Sequence, residues 1–416
     1  MYKVKDINLF VRGKLKVGLA RQNMPVLSLI REDFSKRKPL EGLRVGFCLH
    51  VTKETAVLVE TLVEGGGKVA ISGCNPLSTQ DDVAAYLADR GIEVFAWKGE
   101  TEKEYYENIN KILDFMPNIT IDDGSDLVFL THTKRRECLE SIIGGCEETT
   151  TGVNRLIAME KERKLEYPII AVNNSLTKHL FDNRYGTGQS TIDGILRATS
   201  TLIAGKNFVV AGYGYCGKGI ARCAQGMNAN VIVTETDPVR ALEARMEGYS
   251  VMPMQDASVI GDIFVTATGN RDIITRNHLL RMKNGAIIAN SGHFNNEIDV
   301  KGLEELSSEK RRVRDNCDEY YITNGKKVYL LGEGRLVNLA AAEGHPSEVM
   351  DMSFANQALG AEYIAANKGK LECKVYDLPR DVDHRIASLK LKSMGISKDD
   401  LTERQKEYLN SWKEGT

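Results

Sequence analysis

The sequence predicts an α/β protein made of two doubly wound parallel sheets followed by a helical tail. Three observations lead there. Short β-branched runs alternate with amphipathic stretches along most of the chain. The alternation comes in two series, parted by TKHLFDNRYGTGQS (177–190), which is rich in Gly, Asn and Asp. The chain has 416 residues, 42% of them hydrophobic and 27% charged, more than one ordinary core accommodates.

In the first series the predicted strands are LRVGFCLH (43–50), KVAISG (68–73), EVFAWKG (93–99), DLVFLTH (126–132) and PIIAVNN (168–174). Helical segments follow them, for instance STQDDVAAYLADRG (78–91), which opens on Ser and Asp and closes on Gly. The second series starts after TIDGILRATSTLIAGK (191–206), read as a helix ending at Gly205. Its strands are NFVVAG (207–212), NVIVTE (230–235), DIFVTATG (262–269), GAIIANSGH (285–293) and KVYLLGEG (327–334). The charged patch SSEKRRVRD (307–315) reads as a solvated face. Beyond Arg335 lie core-forming apolar stretches. The chain then closes on a helical hairpin, with Ser397 or Asp400 as cap before LTERQKEYL.

Composition excludes several classes. With 55 Lys+Arg against 57 Asp+Glu the net charge is −2, so no basic field exists to hold a nucleic acid. No apolar run approaches the roughly 18 residues of a membrane span, and the N-terminus lacks a signal-peptide pattern. A cytoplasmic protein is expected. The eight cysteines form no Cys-x-x-Cys and no Cys/His cluster at zinc spacing, so they read as reduced thiols and no metal is expected.

The strongest chemical motif is VVAGYGYCGKG. Gly212, Gly214 and Gly217 form Gly-x-Gly-x-x-Gly between a strand and a helix, the Rossmann fingerprint. The first glycine permits the turn, the second admits a pyrophosphate to the backbone, and the third lets helix and strand pack closely. The next strand ends in Glu235, whose carboxylate suits ribose hydroxyls and repels a 2′-phosphate. NAD is therefore the expected cofactor, with NADP the alternative because Arg240 is near.

The segments LHVTKETAVLVETL, CNPLSTQDD, AWKGET, DDGSDL, EETTTGV, TKHLFDN, GYGYCGKG, TETDP, FVTATG, GHFNNEID and LLGEGRLVNLA…GHPSEVM follow one another in the order and spacing of S-adenosylhomocysteine hydrolases. The resemblance spans nearly the whole chain, and the GQS and DMSFANQAL segments are similar to the short archaeal or thermophile-type branch. It implies reversible hydrolysis of S-adenosyl-L-homocysteine with a resident, tightly bound NAD. Transient oxidation of the 3′ hydroxyl acidifies the 4′ proton, homocysteine leaves by elimination, water adds, and the hydride returns. It also implies a discontinuous substrate domain, 1–181 plus 336–375, with the NAD domain 182–335 inserted and a tail, 376–416, for oligomerisation as a homotetramer.

Residue by residue, the resemblance places Lys178 and Asp182 at the 3′ hydroxyl with Asn183 beside them. Their spacing of four suits one face of a helical turn, where a nearby cation or the nicotinamide lowers the lysine pKa towards base duty. His50 and Asp123 are assigned to the 5′ and 4′ proton transfers, with Asp122 the neighbouring alternative. Thr52, Glu54 and Thr55 belong to the sugar and purine site, Glu148 to ribose hydroxyls, and Thr149, Thr150 and Thr151 to the nicotinamide ribose. Asn270, Ser291, Gly292, His293 and Asn338 face the nicotinamide half of NAD, and His345 lies near the purine.

The chain departs from the family pattern at Thr187, Tyr215, Cys216 and Ser291. Glu343 stands where methionine is usual, at the expected purine 6-position, which opens S-inosyl-L-homocysteine as the alternative substrate. The terminal Lys…Tyr that enters a neighbour's NAD site is missing, leaving Lys406 or Lys413 as substitutes. Two competing functions are a net 2-hydroxyacid dehydrogenase and a non-catalytic regulatory relative. The first leaves Asp123, EETTT and Lys178 unexplained, and the second is opposed by His50, Asp123, Glu148, Lys178 and Asp182 standing together.

Overall fold

Two eight-stranded sheets carry the molecule, each wound outward in both directions from a central strand. The computed structural model describes residues 1–413 and 415. The first sheet contains β1 (Tyr2–Lys3), β2 (Arg44–Cys48), β3 (Lys68–Ser72), β4 (Glu93–Phe95), β5 (Ile119–Asp122), β6 (Gly144–Glu147) and β7 (Ile169–Ala171). The second contains β8 (Asn207–Ala211), β9 (Asn230–Thr234), β10 (Ser250–Val251), β11 (Ile263–Thr266), β12 (Ala286–Asn290), β13 (Ser307–Arg314), β14 (Cys317–Ile322) and β15 (Lys327–Leu331). The last strand, β16 (Val375–Tyr376), returns to the first sheet. The spatial orders are β1-β4-β3-β2-β5-β6-β7-β16 and β10-β9-β8-β11-β12-β15-β14-β13. Pairing is parallel except around β14, which runs antiparallel to both β13 and β15. The α/β reading with two doubly wound Rossmann-like sheets thus holds.

In both sheets the winding reverses beside the first strand of the unit, between β2 and β5 and between β8 and β11. Such switch points leave a crevice at the carboxyl ends of the strands. Register decides what lines it. Cys48 pairs with Asp122, and Asp122 with Glu147, so His50, Asp123 and Glu148 emerge side by side. Ala211 pairs with Thr266 and Thr266 with Asn290, which aligns the loops beginning at Gly212, Ala267 and Ser291.

Local chemistry starts the helices that follow. Thr52 caps Lys53–Glu64 by accepting from the Thr55 N–H, and Thr101 with Glu104 forms a capping box on Glu102–Asp114. Asp237 accepts from the Val239 and Arg240 N–H groups ahead of Pro238.

Several sequence expectations are corrected. The run 126–132 is a helix, Asp126–Thr133, and the strand lies earlier at β5. An apolar run of this length fits either period. Here Gly124 and Ser125, at φ of 104° and 64°, turn the chain, and the Asp122 carboxylate accepts the Val128 N–H. The helix expected to end at Gly205 is Thr187–Thr199, stopped by left-handed Ser200. The terminal helix Glu403–Leu409 is capped by Thr402 in a box with Gln405, in place of Ser397 or Asp400. The patch 307–315 is a solvated face as expected, and its residues Ser307–Arg314 also form β13, an outer edge strand.

Two apolar clusters pack against each sheet. Ile192 and Val337 belong to the second sheet's core, whereas Met352 through Ile364 and Ile386 belong to the first. Helix Arg380–Ser393 is tied to the first unit as well, because Asp383 accepts from the Leu176 and Thr177 N–H groups at 2.8 and 2.9 Å. Among the described residues no helix is long and apolar enough to cross a membrane.

Candidate active site

The carboxyl ends of the two sheets face each other across one cavity of about 1140 Å³, lined from both units. That volume exceeds the upper range of ordinary ligand pockets, about 1,000 Å³, and suits a dinucleotide beside a second ligand. Of the sequence-assigned residues, all line it except Gly217 and Glu343.

On the first-sheet side, His50 Nδ1 lies 2.7 Å from Ser78 Oγ, and that hydroxyl donates to the Asn75 carbonyl at 3.1 Å. Ser78 must then accept, so Nδ1 carries the proton and Nε2 presents its lone pair. Nε2 lies 3.4 Å from Asp123 Oδ2. Burial drives the His50 imidazole down to about 4, against the opposing pull of Asp123. Asp123 faces the cavity, whereas Asp122 turns inward to accept from the Asp123 and Val128 N–H groups, and burial pushes it up to about 7. The neighbouring pair is thereby resolved in favour of Asp123 as the cavity residue. Glu147, fully buried, accepts from Gly124 N–H, Ser125 Oγ and Thr149 N–H and so fixes the turn that carries Asp123.

Lys178 is 3% exposed and sits in a nest of acceptors. Its Nζ lies 2.8 Å from Asp182 Oδ2, 2.8 Å from Asn183 Oδ1, 3.3 Å from Asn173 Oδ1 and 3.5 Å from Glu148 Oε1. Burial alone pulls the amine down, yet Asp182 and Glu148 reverse this and hold it above its ordinary value. The expectation of a lowered lysine is corrected for the protein alone, because its nearest charges are carboxylates. Asp182 is held below the usual carboxylate range by Lys178 and His345, which outweigh its burial. Glu148 is raised, chiefly by burial, and accepts from Ser353 and Gln357.

His345 lines the cavity, with its ring against Asp182 through Nδ1 and near the Asn338 amide, 3.2 Å from Nε2. Its side chain thus attends the Lys178 cluster, although the sequence places it near a purine. Glu343 is also corrected. Its carboxylate is 46% exposed and 3.5 Å from Lys53, outside the cavity lining. Lys53 in turn reaches Glu54 Oε1 at 3.3 Å, and Ser347 donates to the same oxygen at 2.6 Å. Thr52, Glu54 and Thr55 line the cavity together with the apolar Leu339, Met350 and Phe354, a combination suited to a flat base with a polar edge.

Across the cavity, Gly212 adopts φ of 94°, and a side chain there would strike the Ala267 carbonyl. A Cβ on Gly217 would meet the Gly212 oxygen at 1.8 Å, so this glycine serves close packing, while a Cβ on Gly214 would meet only the Arg240 guanidinium, at 3.9 Å. Glu235 accepts from the Tyr213, Thr236 and Asp237 N–H groups at 2.7, 2.6 and 3.0 Å. These bonds outweigh burial and hold it below its ordinary value, ionised at the mouth of the glycine turn. Asn290 and Glu297 brace the loops that carry Ser291, Gly292 and Asn270, and Asn338 Oδ1 is buried with no partner among the described residues. Thr149, Thr150 and Thr151 approach from the first unit. The donors, the acceptor pair and the open glycine backbone fit NAD.

The units also touch. His293 Nδ1 lies 3.5 Å from Asp123 Oδ1, and a Cβ on Gly124 would collide with the His293 ring at 2.2 Å. Sequence reasoning missed Ser78, Cys74, Asn173 and Ser353. Ser78 and Cys74 stand in the CNPLSTQDD segment already singled out, where a hydroxyl and a thiol past a strand end were the available signal. Lys406 pairs with Glu403, and neither Lys406 nor Lys413 lines the cavity.

Two family models match the chain: S-adenosyl-L-homocysteine hydrolase over residues 1–139 and the NAD binding domain of S-adenosyl-L-homocysteine hydrolase over 183–344. A Methanocaldococcus jannaschii protein named S-inosyl-L-homocysteine hydrolase is 62% identical, with 100% of both chains covered. A Saccharolobus solfataricus adenosylhomocysteinase is likewise 62% identical over 100% of both chains, and one from Aquifex aeolicus is 57% identical over 100% of this chain and 100% of its own. With a cofactor fingerprint, a facing acid–base cluster and relatives matched from end to end, the chain belongs to the S-adenosyl-L-homocysteine hydrolase family.

Proposed function

We propose that the protein hydrolyses S-adenosyl-L-homocysteine, reversibly, to adenosine and homocysteine, with one NAD held tightly per chain. The observation that carries this reading is the single cavity that sets Lys178, Asp182, His50 and Asp123 opposite the glycine turn and Glu235. When bound, NAD supplies a hydride acceptor for the 3′ carbon and returns the hydride, with no net redox. Gly212, Gly214 and the helix start at Tyr215 receive its pyrophosphate, and Glu235 a ribose. Thr149, Thr150, Thr151, Asn183, Asn270, Ser291, Gly292, His293 and Asn338 hold the nicotinamide half.

Lys178 and Asp182 receive the 3′ hydroxyl, with Asn173 and Asn183 fixing the amine and His345 fixing the carboxylate. Glu148 accepts from ribose hydroxyls, its orientation set by Ser353 and Gln357. Asp123 takes the 4′ proton. His50, neutral and with Nε2 free, moves the 5′ proton, and Ser78 holds its tautomer. The base lies between Leu339, Met350 and Phe354, with Thr52 and Glu54 at its polar edge. Contact of Gly124 with His293 joins the two units at one wall of the site.

S-inosyl-L-homocysteine is the second reading, supported by the Methanocaldococcus jannaschii relative that carries that name and by Glu54 on the cavity wall, a carboxylate suited to accept the N1–H that hypoxanthine has and adenine lacks. The test measures kcat/KM for both thioethers by homocysteine release from NAD-loaded enzyme. The first reading predicts preference for the adenosyl substrate, and release from neither refutes the reaction. We further propose a cytoplasmic homotetramer assembled through the tail, whose Leu401, Tyr408, Leu409 and Trp412 are exposed in the single chain. A monomer in sedimentation would refute the assembly.

A further inference from the structure

Cys74 has no part in the reaction above, yet it is buried at its centre. It follows β3, and its Sγ lies 3.8 Å from Asp123 Oδ2, the same oxygen that His50 Nε2 approaches at 3.4 Å. The three ligand atoms all lie within 4.8 Å of one another. A tetrahedral zinc ion, with bonds of about 2.0 Å to nitrogen and oxygen and about 2.3 Å to sulfur, spaces adjacent ligand atoms roughly 3.3–3.6 Å apart. Two of the three edges are therefore already close to the required length.

Ligand form agrees with ligand distance. His50 donates its Nδ1 proton to Ser78, which leaves Nε2 as an oriented lone pair, the arrangement that metal-bound histidines take from their outer partners. A lone pair and a carboxylate oxygen then face each other, and a cation between them relieves the repulsion. His293 approaches the other oxygen of Asp123, so it leaves this edge free. His50 and Asp123 open onto the cavity, which gives an ion both an entry path and a fourth coordination position.

We infer that His50, Cys74 and Asp123 form a site for a thiophilic divalent cation of the zinc class, and that its occupancy shuts off the enzyme. Binding replaces the thiol proton of Cys74, which passes to solvent, by a zinc–sulfur bond. His50 and Asp123 contribute lone pairs, and a water or the sulfur of the substrate takes the fourth position. The ion then occupies the lone pairs that the 4′ and 5′ proton transfers require. The inhibition, though not the binding, rests on the roles proposed for His50 and Asp123.

The test uses chelator-treated, NAD-loaded enzyme titrated with Zn²⁺ for activity and with Co²⁺ for its thiolate charge-transfer band. One equivalent per chain, a band, and inhibition that follows occupancy and reverses with chelator are expected. Cys74→Ser abolishes the band and weakens Zn²⁺ at least about tenfold, judged against its own metal-free rate. Ser78→Ala keeps all three ligands but frees the imidazole, and weakens Zn²⁺ by about tenfold. Cys373→Ser, at an exposed cysteine, changes neither. Absence of the band from the unmutated enzyme, or its survival in Cys74→Ser, overturns the site. A band without inhibition leaves the site standing and overturns its link to catalysis through His50 and Asp123.

Discussion

Replacing Lys178 by methionine keeps much of the side-chain volume and removes the ammonium placed between Asp182 and Glu148. At separations of 2.8 and 3.5 Å, and with an effective dielectric of about 20, the two attractions are worth about 6 and about 5 kcal/mol before desolvation is counted. Removing one partner of a buried ion pair costs about 3–5 kcal/mol net. The lower end applies here, because Asp182 keeps His345 and Glu148 keeps Ser353 and Gln357. Without the cation, both carboxylates titrate above their unfolded values, so the folded state binds more protons than the unfolded chain and stability falls as pH rises. Urea unfolding followed through Trp97 is predicted to show a deficit of about 3 kcal/mol at pH 8 that shrinks by about half at pH 5. Adding Glu148→Gln to Lys178→Met recovers about 1 kcal/mol or more and restores no activity. A deficit below about 1 kcal/mol, or one independent of pH, refutes the charge balance described for this cluster.

Three further outcomes follow from the geometry. Glu235→Gln loses the charge that excludes a 2′-phosphate while keeping much of the backbone bonding, so NAD over NADP selectivity in reconstituted apoenzyme falls at least about tenfold; an unchanged ratio shows that Glu235 does not read the ribose. Gly217→Ala brings a methyl to 1.8 Å from a backbone oxygen and is expected to purify without NAD and with a lowered Tm, whereas Gly226→Ala meets nothing within 4 Å and gains about 0.5–1 kcal/mol in helix stability. Equal behaviour of the two contradicts the packing role of Gly217. Burial pushes Glu100 up to about 8 although Asn108 donates to it. The folded state therefore holds a proton that the unfolded chain releases from about pH 4.5, and this contribution is lost as pH rises through 8. Glu100→Gln should match the parent near pH 4 and exceed it by up to about 5 kcal/mol at pH 9 in urea unfolding, and a constant difference across that range would count against the burial argument.

What the sequence disclosed follows a physical pattern. In the second sheet β8, β9, β11, β12 and β15 were legible, because β-branched runs such as NFVVAG end at glycines or acids that punctuate them. The two-residue β10 and the β13–β14 hairpin, whose first arm is the charged run SSEKRRVR, were not legible as strands. In the first sheet β6 reads Gly-Gly-Cys-Glu and carries no β-branched residue, so only its partners β5 and β7 make it a strand. The run 126–132 needed knowledge of the turn at Gly124 and Ser125 before its helix was evident. In the site, the glycine fingerprint with Glu235 and the Lys178–Asp182 spacing are local and were readable. Cys74, Ser78 and Asn173 reach their partners through sheet register, and nothing in their own neighbourhood announces it. Glu343 shows the converse: a departure at a marked position whose side chain turns out to Lys53.

The central claim is that a hydrolase works here through a passing oxidation of its substrate. It is tested most directly by mixing NAD-loaded enzyme with adenosine alone and reading the absorbance of reduced nicotinamide. The account predicts that the band appears on nucleoside addition and falls again when homocysteine is supplied and the thioether forms. Steady release of homocysteine from S-adenosyl-L-homocysteine by enzyme that never shows the band, or that turns over equally well stripped of NAD, would contradict it.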